Sequence, residues 1–161
     1  MHPIADLQIE YSLISRSPEA QIFPLLAELG IGVTAYGVLS RGLLSGTRPN
    51  AAAGDYPRAP AALRGRNREQ NDRLVATLRR LAEERGVRPS QLAIAWVLAR
   101  GTNIVPVVGA RTRAQLAESL GALQLSLSPD DLAAIEAALP ASEVAGARYP
   151  EQQMRILDSE R

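Results

Sequence analysis

Several residue types that carry enzyme chemistry are missing from this chain or nearly so. Its 161 residues include no cysteine and one histidine, His2, and all 18 basic residues are arginine, so lysine is absent as well. Without Cys or Lys, thiol nucleophiles and Schiff-base lysines are excluded, and one terminal imidazole is a poor basis for a zinc site or a Ser-His system. We therefore expect neither a metal site nor nucleophilic catalysis from this chain.

Export signals and a strong net charge are lacking too. No apolar run approaches the ~18 residues of a membrane span, and the N-terminus does not follow the basic-then-apolar order of a secretory signal. With no cysteine for disulfides, cytoplasm is the expected location. The arginines are spread along the chain and nearly balanced by 17 acidic residues, so neither nucleic acid nor membrane is an expected partner.

Strand and helix patterns alternate along the chain, which is 46% hydrophobic and 22% charged. Residues 5–11 have strand period with Gln8 on the polar face, and residues 31–36 and 104–108 are further strands. Helical periods follow each strand, and Trp96 falls in a helix that is apolar around most of its circumference. Strands alternating with helices predict an α/β fold with a parallel sheet. Three strands are too few to close a barrel.

The chain is expected to form one partial domain over residues 1–161. Residues 47–66 are rich in Pro, Ala, Gly and Arg without a clear period and predict a long surface loop. Residues 140–161 are expected to form an irregular C-terminal tail. Met1, directly before the first strand, indicates a truncated gene product, an alternative start or a fragment.

Four ordered motifs carry a family resemblance. They are QIEYS at residues 8–12, TAYGVLSRGLLSG at 34–46, QLAIAWVL at 91–98 and VPVVGAR at 105–111, the last followed by Gln115 and Glu118. Together they resemble the C-terminal half of an aldo-keto reductase. The GARYP tail at 146–150 is similar to the pyridoxal-reductase-like branch of bacterial and fungal members.

The resemblance implies the C-terminal part of a (β/α)8 TIM barrel, strands six to eight with their helices, as an incomplete barrel. It implies NADPH as cofactor and the reduction of a small carbonyl substrate by hydride transfer. Gln8 stands where the family hydrogen-bonds the nicotinamide carboxamide, and Tyr36 where a ring stacks on the nicotinamide. Gly37, Leu39 and Arg41 stand in the turn that surrounds the pyrophosphate, and a glycine there lets backbone N–H groups approach phosphates.

A second group of residues follows the third strand. By resemblance, Gly109, Arg111, Gln115 and Glu118 stand where the family binds the adenosine 2′-phosphate and adenine. A helix N-terminus offers N–H groups to a phosphate, and Arg111 adds a bidentate partner that favours NADPH over NADH. Ser119 departs from the asparagine that the family usually has after the glutamate.

Each of these residues also has a structural interpretation. Gln8 is equally a polar strand residue, and Tyr36 an ordinary core residue. Gln115 completes a capping box that opens a helix, and Arg111 and Arg113 are solvated charges at the start of that helix. Arginine at a positive helix end is locally unfavourable unless an anion is present, which favours Arg111 as an anion ligand.

The chemistry of the family requires a Tyr general acid supported by Asp, Lys and His on earlier strands, and those segments are absent here. No catalytic residue is therefore assigned, since Tyr11, Tyr56 and Tyr149 have no Lys to lower a phenol pKa. The first hypothesis is the cofactor-binding half of an NADPH-dependent reductase, active once completed. The alternative is a non-catalytic nucleotide-binding or interaction module, or a remnant, that pairs its open sheet edges with another chain or with itself.

Overall fold

Three parallel strands form the sheet on which the rest of the chain is built. The computed structural model describes residues 2–45, 65–147, 149 and 154–155. The strands lie in the order β1 (Asp6–Glu10), β2 (Gly32–Tyr36) and β3 (Ile104–Pro106). The helices are α1 (Ile22–Glu28), α2 (Gly65–Glu84), α3 (Pro89–Leu98), α4 (Arg113–Leu120) and α5 (Pro129–Ala138). The predicted alternation of strands and helices is confirmed.

Helices cover one face of the sheet. The hydrophobic core buries Val33 and Ala35 on β2 and Ile104 on β3. Every second side chain of a strand lies on the same face, so Val33 and Ala35 share the face that the helices cover. Ile9 on β1 packs against the same core. The strand predicted at residues 5–11 is thus confirmed as β1, but burial departs from the predicted faces, because Leu7 is 36% exposed and Glu10 on the polar face is buried.

The other face of the sheet is largely open. Gln8 is exposed and lies in register with Thr34 on β2, which lies in register with Val105 on β3. Val105 is 61% exposed. Because one sheet face is uncovered and both outer strands end the sheet, the described residues form an incomplete barrel rather than a closed one.

Helix α3 lies at the centre of the core. Seven of its ten residues are buried, and Trp96 is fully buried. Its apolar circumference predicts this position, since a helix that is hydrophobic on all sides must be covered on all sides.

The structure describes only part of the predicted loop at 47–66 and of the predicted tail at 140–161. Most of the predicted loop at 47–66 lies outside the described residues, but Gly65 and Arg66 already belong to α2, which begins two residues earlier than predicted. In the C-terminal tail, a 3-10 turn spans Ala141–Glu143.

Within the described part of the chain, no helix has the length and apolar character to cross a membrane.

Apolar side chains are exposed on helices that follow both edge strands. Leu25 and Leu29 on α1, after β1, are 53% and 60% exposed. On α4 and the turn after it, following β3, the exposed residues are Leu116, Leu120 and Leu123, at 49%, 52% and 62%. These positions would be covered if further strands and helices continued the sheet on both sides.

Candidate cofactor-binding site

The carboxyl ends of β1 and β2 meet at one corner of the sheet. Glu10 lies in register with Tyr36 and is 6% exposed, whereas Tyr36 is half-buried. Gly37 follows with φ of +70°, and a Cβ added there would lie 2.9 Å from Cγ of Glu10. Glycine is therefore required at 37 both for its backbone conformation and for the close approach of Glu10.

The turn after β2 is conformationally unusual. Two residues other than glycine have positive φ, Ser40 at 47° and Arg41 at 55°, between Gly37 at 70° and Gly42 at 92°. The N–H of Ser40 donates to the carbonyl of Gly37 at 2.7 Å, and that of Gly42 to the carbonyl of Leu39 at 2.9 Å. Left-handed conformations outside glycine cost about 1–3 kcal/mol each and cluster at ligand-binding sites. This strain makes the turn a candidate functional element.

Gln8 lies on the open face of the sheet, two residues before Glu10 and therefore on the same side of β1. On the same face, the hydroxyl of Thr34 donates to the carboxylate of Asp6. The exposed amide of Gln8 thus stands beside polar groups rather than against the core, as its strand period predicts.

Beyond β3, the predicted capping box is present. The side-chain oxygen of Gln115 accepts from the N–H of Arg111 at 2.8 Å and of Thr112 at 3.2 Å, and the N–H of Gln115 donates to the Thr112 hydroxyl at 3.2 Å. The N–H groups of Arg111, Thr112 and Gln115 are therefore already bonded within the chain. This limits which N–H groups of the helix start can bind the expected phosphate. Arg111 is exposed, as is Gly109.

Glu118 has a structural partner. The hydroxyl of Ser90, in the first turn of α3, donates to its carboxylate, and Ser90 is 2% exposed. This bond joins α4 to α3 and fixes the orientation of Glu118. Ser119, beside it, is half-buried.

The predicted site residues thus fall into two groups. The first group is at the ends of β1 and β2, where Arg41 and Tyr36 both contact Tyr149 from the tail. The Tyr36 and Tyr149 hydroxyl oxygens are 3.3 Å apart. The Arg41 guanidinium carbon lies 4.6 Å from the centre of the Tyr149 ring. Gln8 is on the same sheet face. The second group follows β3 and contains Gly109, Arg111, Gln115 and Glu118.

Two residues of the first group were not predicted as site residues. Glu10 could have been found, since it follows Gln8 at strand spacing and precedes the turn. The position of Tyr149 had no local signal, because the contact joins residues 113 positions apart.

Neither Tyr149, at the site, nor Tyr11, in the core, has a pKa lowered for proton donation. Burial raises the pKa of Tyr149 well above its ordinary value, and its hydrogen bonds with Tyr36 and Glu10 raise it further. Burial and the hydrogen bond to Glu19 likewise raise the pKa of Tyr11. Both groups remain protonated and act as hydrogen-bond partners.

Comparison with known proteins agrees with this architecture. The family model described as "Aldo/keto reductase family" matches residues 1–140. The chain belongs to the aldo/keto reductase family.

Two relatives illustrate the extent of the match. The chain is 38% identical over 151 residues to "Probable aldo-keto reductase 1" of Glycine max, covering 92% of this chain and 44% of that protein. It is also similar to the structure of a glycerol dehydrogenase from Gluconobacter oxydans, with a TM-score of 0.79 and 27% identity over 91% of this chain and 45% of that one. The chain therefore spans less than half the length of each of these two relatives.

Proposed function

We propose that this chain is the cofactor-binding half of an NADPH-dependent aldo-keto reductase and supplies strands six to eight of its barrel. The observation that carries the proposal is the strained turn after β2, whose Arg41 contacts Tyr149, the residue that also contacts Tyr36 at the end of β2. A second charge, Arg111, stands after the neighbouring strand β3. Residues that follow parallel strands lie at the carboxyl ends of those strands, which is where ligands of α/β proteins bind.

The charges of Arg41 and Arg111 and the positive-φ turn support binding of a dinucleotide phosphate. Gln8 would hydrogen-bond the carboxamide, the Tyr36 ring would stack on the nicotinamide, and the turn containing Gly37, Leu39 and Arg41 would surround the pyrophosphate. When bound, the nicotinamide supplies the hydride that reduces an aldehyde or ketone. Arginine side chains and left-handed glycines are the groups that phosphate binding requires.

The adenosine end would be held by the second group. Arg111 is exposed and would form paired hydrogen bonds with the 2′-phosphate. Gln115 would use its amide nitrogen, since its oxygen holds the helix start, and Glu118 would act from the orientation that Ser90 fixes. In this scheme the preference for NADPH rests on the Arg111 side chain rather than on backbone N–H groups.

The proton for the developing alkoxide would come from the rest of the barrel. Reduction needs an acid at the carbonyl oxygen, and this chain has no lysine to lower the pKa of a phenol. The raised pKa values of Tyr11 and Tyr149 are unsuited to that role. We therefore place the Asp, Tyr, Lys and His of the family's chemistry on the segments that would complete the barrel.

Arg111→Ala tests the cofactor assignment. Loss of a charge-assisted pair of hydrogen bonds should weaken NADPH binding about tenfold or more and leave NADH binding unchanged. Arg113→Ala is the matched control, because Arg113 is also exposed and begins the same helix. Equal losses in the two variants, or equal losses for NADPH and NADH in Arg111→Ala, would contradict the assignment.

A second candidate function is supported by the exposed leucines on α1 and α4. Such faces, together with two open strand edges, favour an interaction module that pairs with another chain or with itself. Light scattering after size-exclusion chromatography should show association that strengthens with concentration. A stable monomer of native compactness would refute obligatory pairing.

A further inference from the structure

Tyr149 contacts three residues of the corner already described, although it lies 113 positions beyond Tyr36. Its hydroxyl oxygen is 3.3 Å from that of Tyr36, and it shares a hydrogen bond with Glu10. Its ring lies under the guanidinium of Arg41 at 4.6 Å from the ring centre, a cation–π contact. One side chain from the tail thus contacts residues of both β1 and β2 and of the turn between them and α2.

The hydroxyls of Tyr36 and Tyr149 form one hydrogen-bonded pair in which either oxygen can donate. Burial raises the pKa of Tyr149, so its hydroxyl stays protonated at neutral pH. The pair joins the ring of Tyr36 to a residue of the tail.

Helix α2 holds the tail just before Tyr149. Asn71, which is 1% exposed, donates from Nδ2 to the carbonyl of Ala145 at 2.9 Å and accepts from the N–H of Ala145 at 3.0 Å. Gln70 donates to the carbonyl of Glu143 at 2.6 Å. A buried amide that bonds one residue of the tail in both directions defines where the tail runs.

We infer that Tyr149 is a positioning residue of the cofactor site, which orients the Tyr36 ring for the nicotinamide and the Arg41 guanidinium for the pyrophosphate. The inference rests on the proposed function for its ligand, while the positioning itself is a property of the chain alone. Two parts of the side chain carry it: the hydroxyl, which bonds Tyr36 and Glu10, and the ring, which lies under Arg41. Tyr149→Phe removes only the hydroxyl and its bonds, and Tyr149→Ala removes the ring contact as well.

The first measurement needs no cofactor. The chain has four tyrosines, so ring-labelled tyrosine gives a simple NMR spectrum. In Tyr149→Phe, the ring signals of Tyr36 should shift. In the control Tyr11→Phe, which removes another phenol-to-carboxylate bond on the helix side of the sheet, they should stay in place. Tyr36 signals that do not move in Tyr149→Phe would overturn the inference.

The second measurement separates the two ends of the cofactor. Loss of the hydroxyl that bonds Tyr36 should weaken NADPH binding about three- to tenfold in Tyr149→Phe, with a larger loss in Tyr149→Ala. Binding of 2′,5′-ADP, which lacks the nicotinamide, should change less than about twofold in Tyr149→Phe, since the hydroxyl that it loses bears on the nicotinamide end. Equal losses for both probes in that variant would show a general structural effect and overturn the inference.

NADPH binding by the wild-type chain distinguishes failure of the proposed cofactor binding from failure of the proposed positioning by Tyr149. Shifted Tyr36 signals in Tyr149→Phe without NADPH binding by the wild-type chain would support positioning and refute the proposed function. NADPH binding that is unchanged in both Tyr149 variants would support the proposed function and overturn the inference. Urea unfolding of each variant, compared with wild type, corrects the affinities for any unfolded fraction.

Discussion

Replacement of Glu136 by alanine should destabilise the chain through the buried tryptophan that it contacts. Glu136, on α5, accepts hydrogen bonds from Arg16 at 2.9 Å, from the indole N–H of Trp96 at 3.2 Å and from Arg100 at 2.7 Å. Both guanidinium groups also lie over the Trp96 ring, at 5.2 Å and 5.4 Å from its centre. One carboxylate thus joins α5 to α3 and to the segment after β1.

The expected loss follows from the exposure of each partner. The Glu136 side chain is 24% exposed, so its two ion pairs contribute about 0.5 kcal/mol each. Trp96 is fully buried, and leaving its indole N–H unsatisfied costs about 1–2 kcal/mol. The free energy of unfolding should therefore fall by about 2–3 kcal/mol in Glu136→Ala. In Glu136→Gln it should fall by about 1 kcal/mol, because the amide oxygen still accepts from Trp96.

Equilibrium urea unfolding, followed by tryptophan fluorescence, measures these differences. The matched control is Glu84→Ala, whose ion pair with Arg80 is 50–62% exposed and should contribute less than about 0.5 kcal/mol. Midpoints should shift without a change in the denaturant slope. A loss in Glu136→Ala no larger than that in Glu84→Ala would contradict the role of Glu136 as the partner of the Trp96 indole, as would equal losses in Glu136→Ala and Glu136→Gln.

Two further predictions concern a glycine and a carboxylate. Gly37→Ala should lower the free energy of unfolding by about 2 kcal/mol, because the added methyl group would lie 2.9 Å from Cγ of Glu10. The control Gly30→Ala, at φ of +65° with nothing within 4 Å, should lower it by only about 1 kcal/mol in urea titrations. Equal losses in the two variants would contradict crowding at position 37. The hydrogen bond from Arg85 lowers the pKa of Asp131 to about 2. Its stabilisation is therefore complete above the unfolded pKa of ~3.9 and lost as the pH falls toward 2, so Asp131→Asn should flatten the acid limb of a stability–pH profile. An unchanged acid limb would contradict this.

The elements of the fold were predictable because their signals are local. The patterns that predict strand β1, the buried helix α3 and the capping box between Thr112 and Gln115 each reside in a few consecutive residues, and all three elements are confirmed. The family resemblance extended this to the candidate site, where Tyr36 and Arg41 do lie in one corner.

The contacts that complete the site were not predictable from local signals. Tyr149 contacts Tyr36 from a tail that Asn71 bonds at Ala145, and no period in the sequence encodes that return. Positive φ at Arg41 is equally hidden, since an arginine gives no indication of a left-handed backbone. The orientation of Glu118 depends on Ser90, 28 residues earlier on another helix.

Calorimetric titration of the purified wild-type chain with NADPH, with NADH as the control, tests the proposed preformed half-site. Saturable one-site binding that is tighter for NADPH is expected, because Arg111 would contact a phosphate that NADH lacks. Absence of binding of either nucleotide up to about 1 mM, corresponding to about 4 kcal/mol, would rule out a preformed half-site and leave the family relationship as ancestry alone.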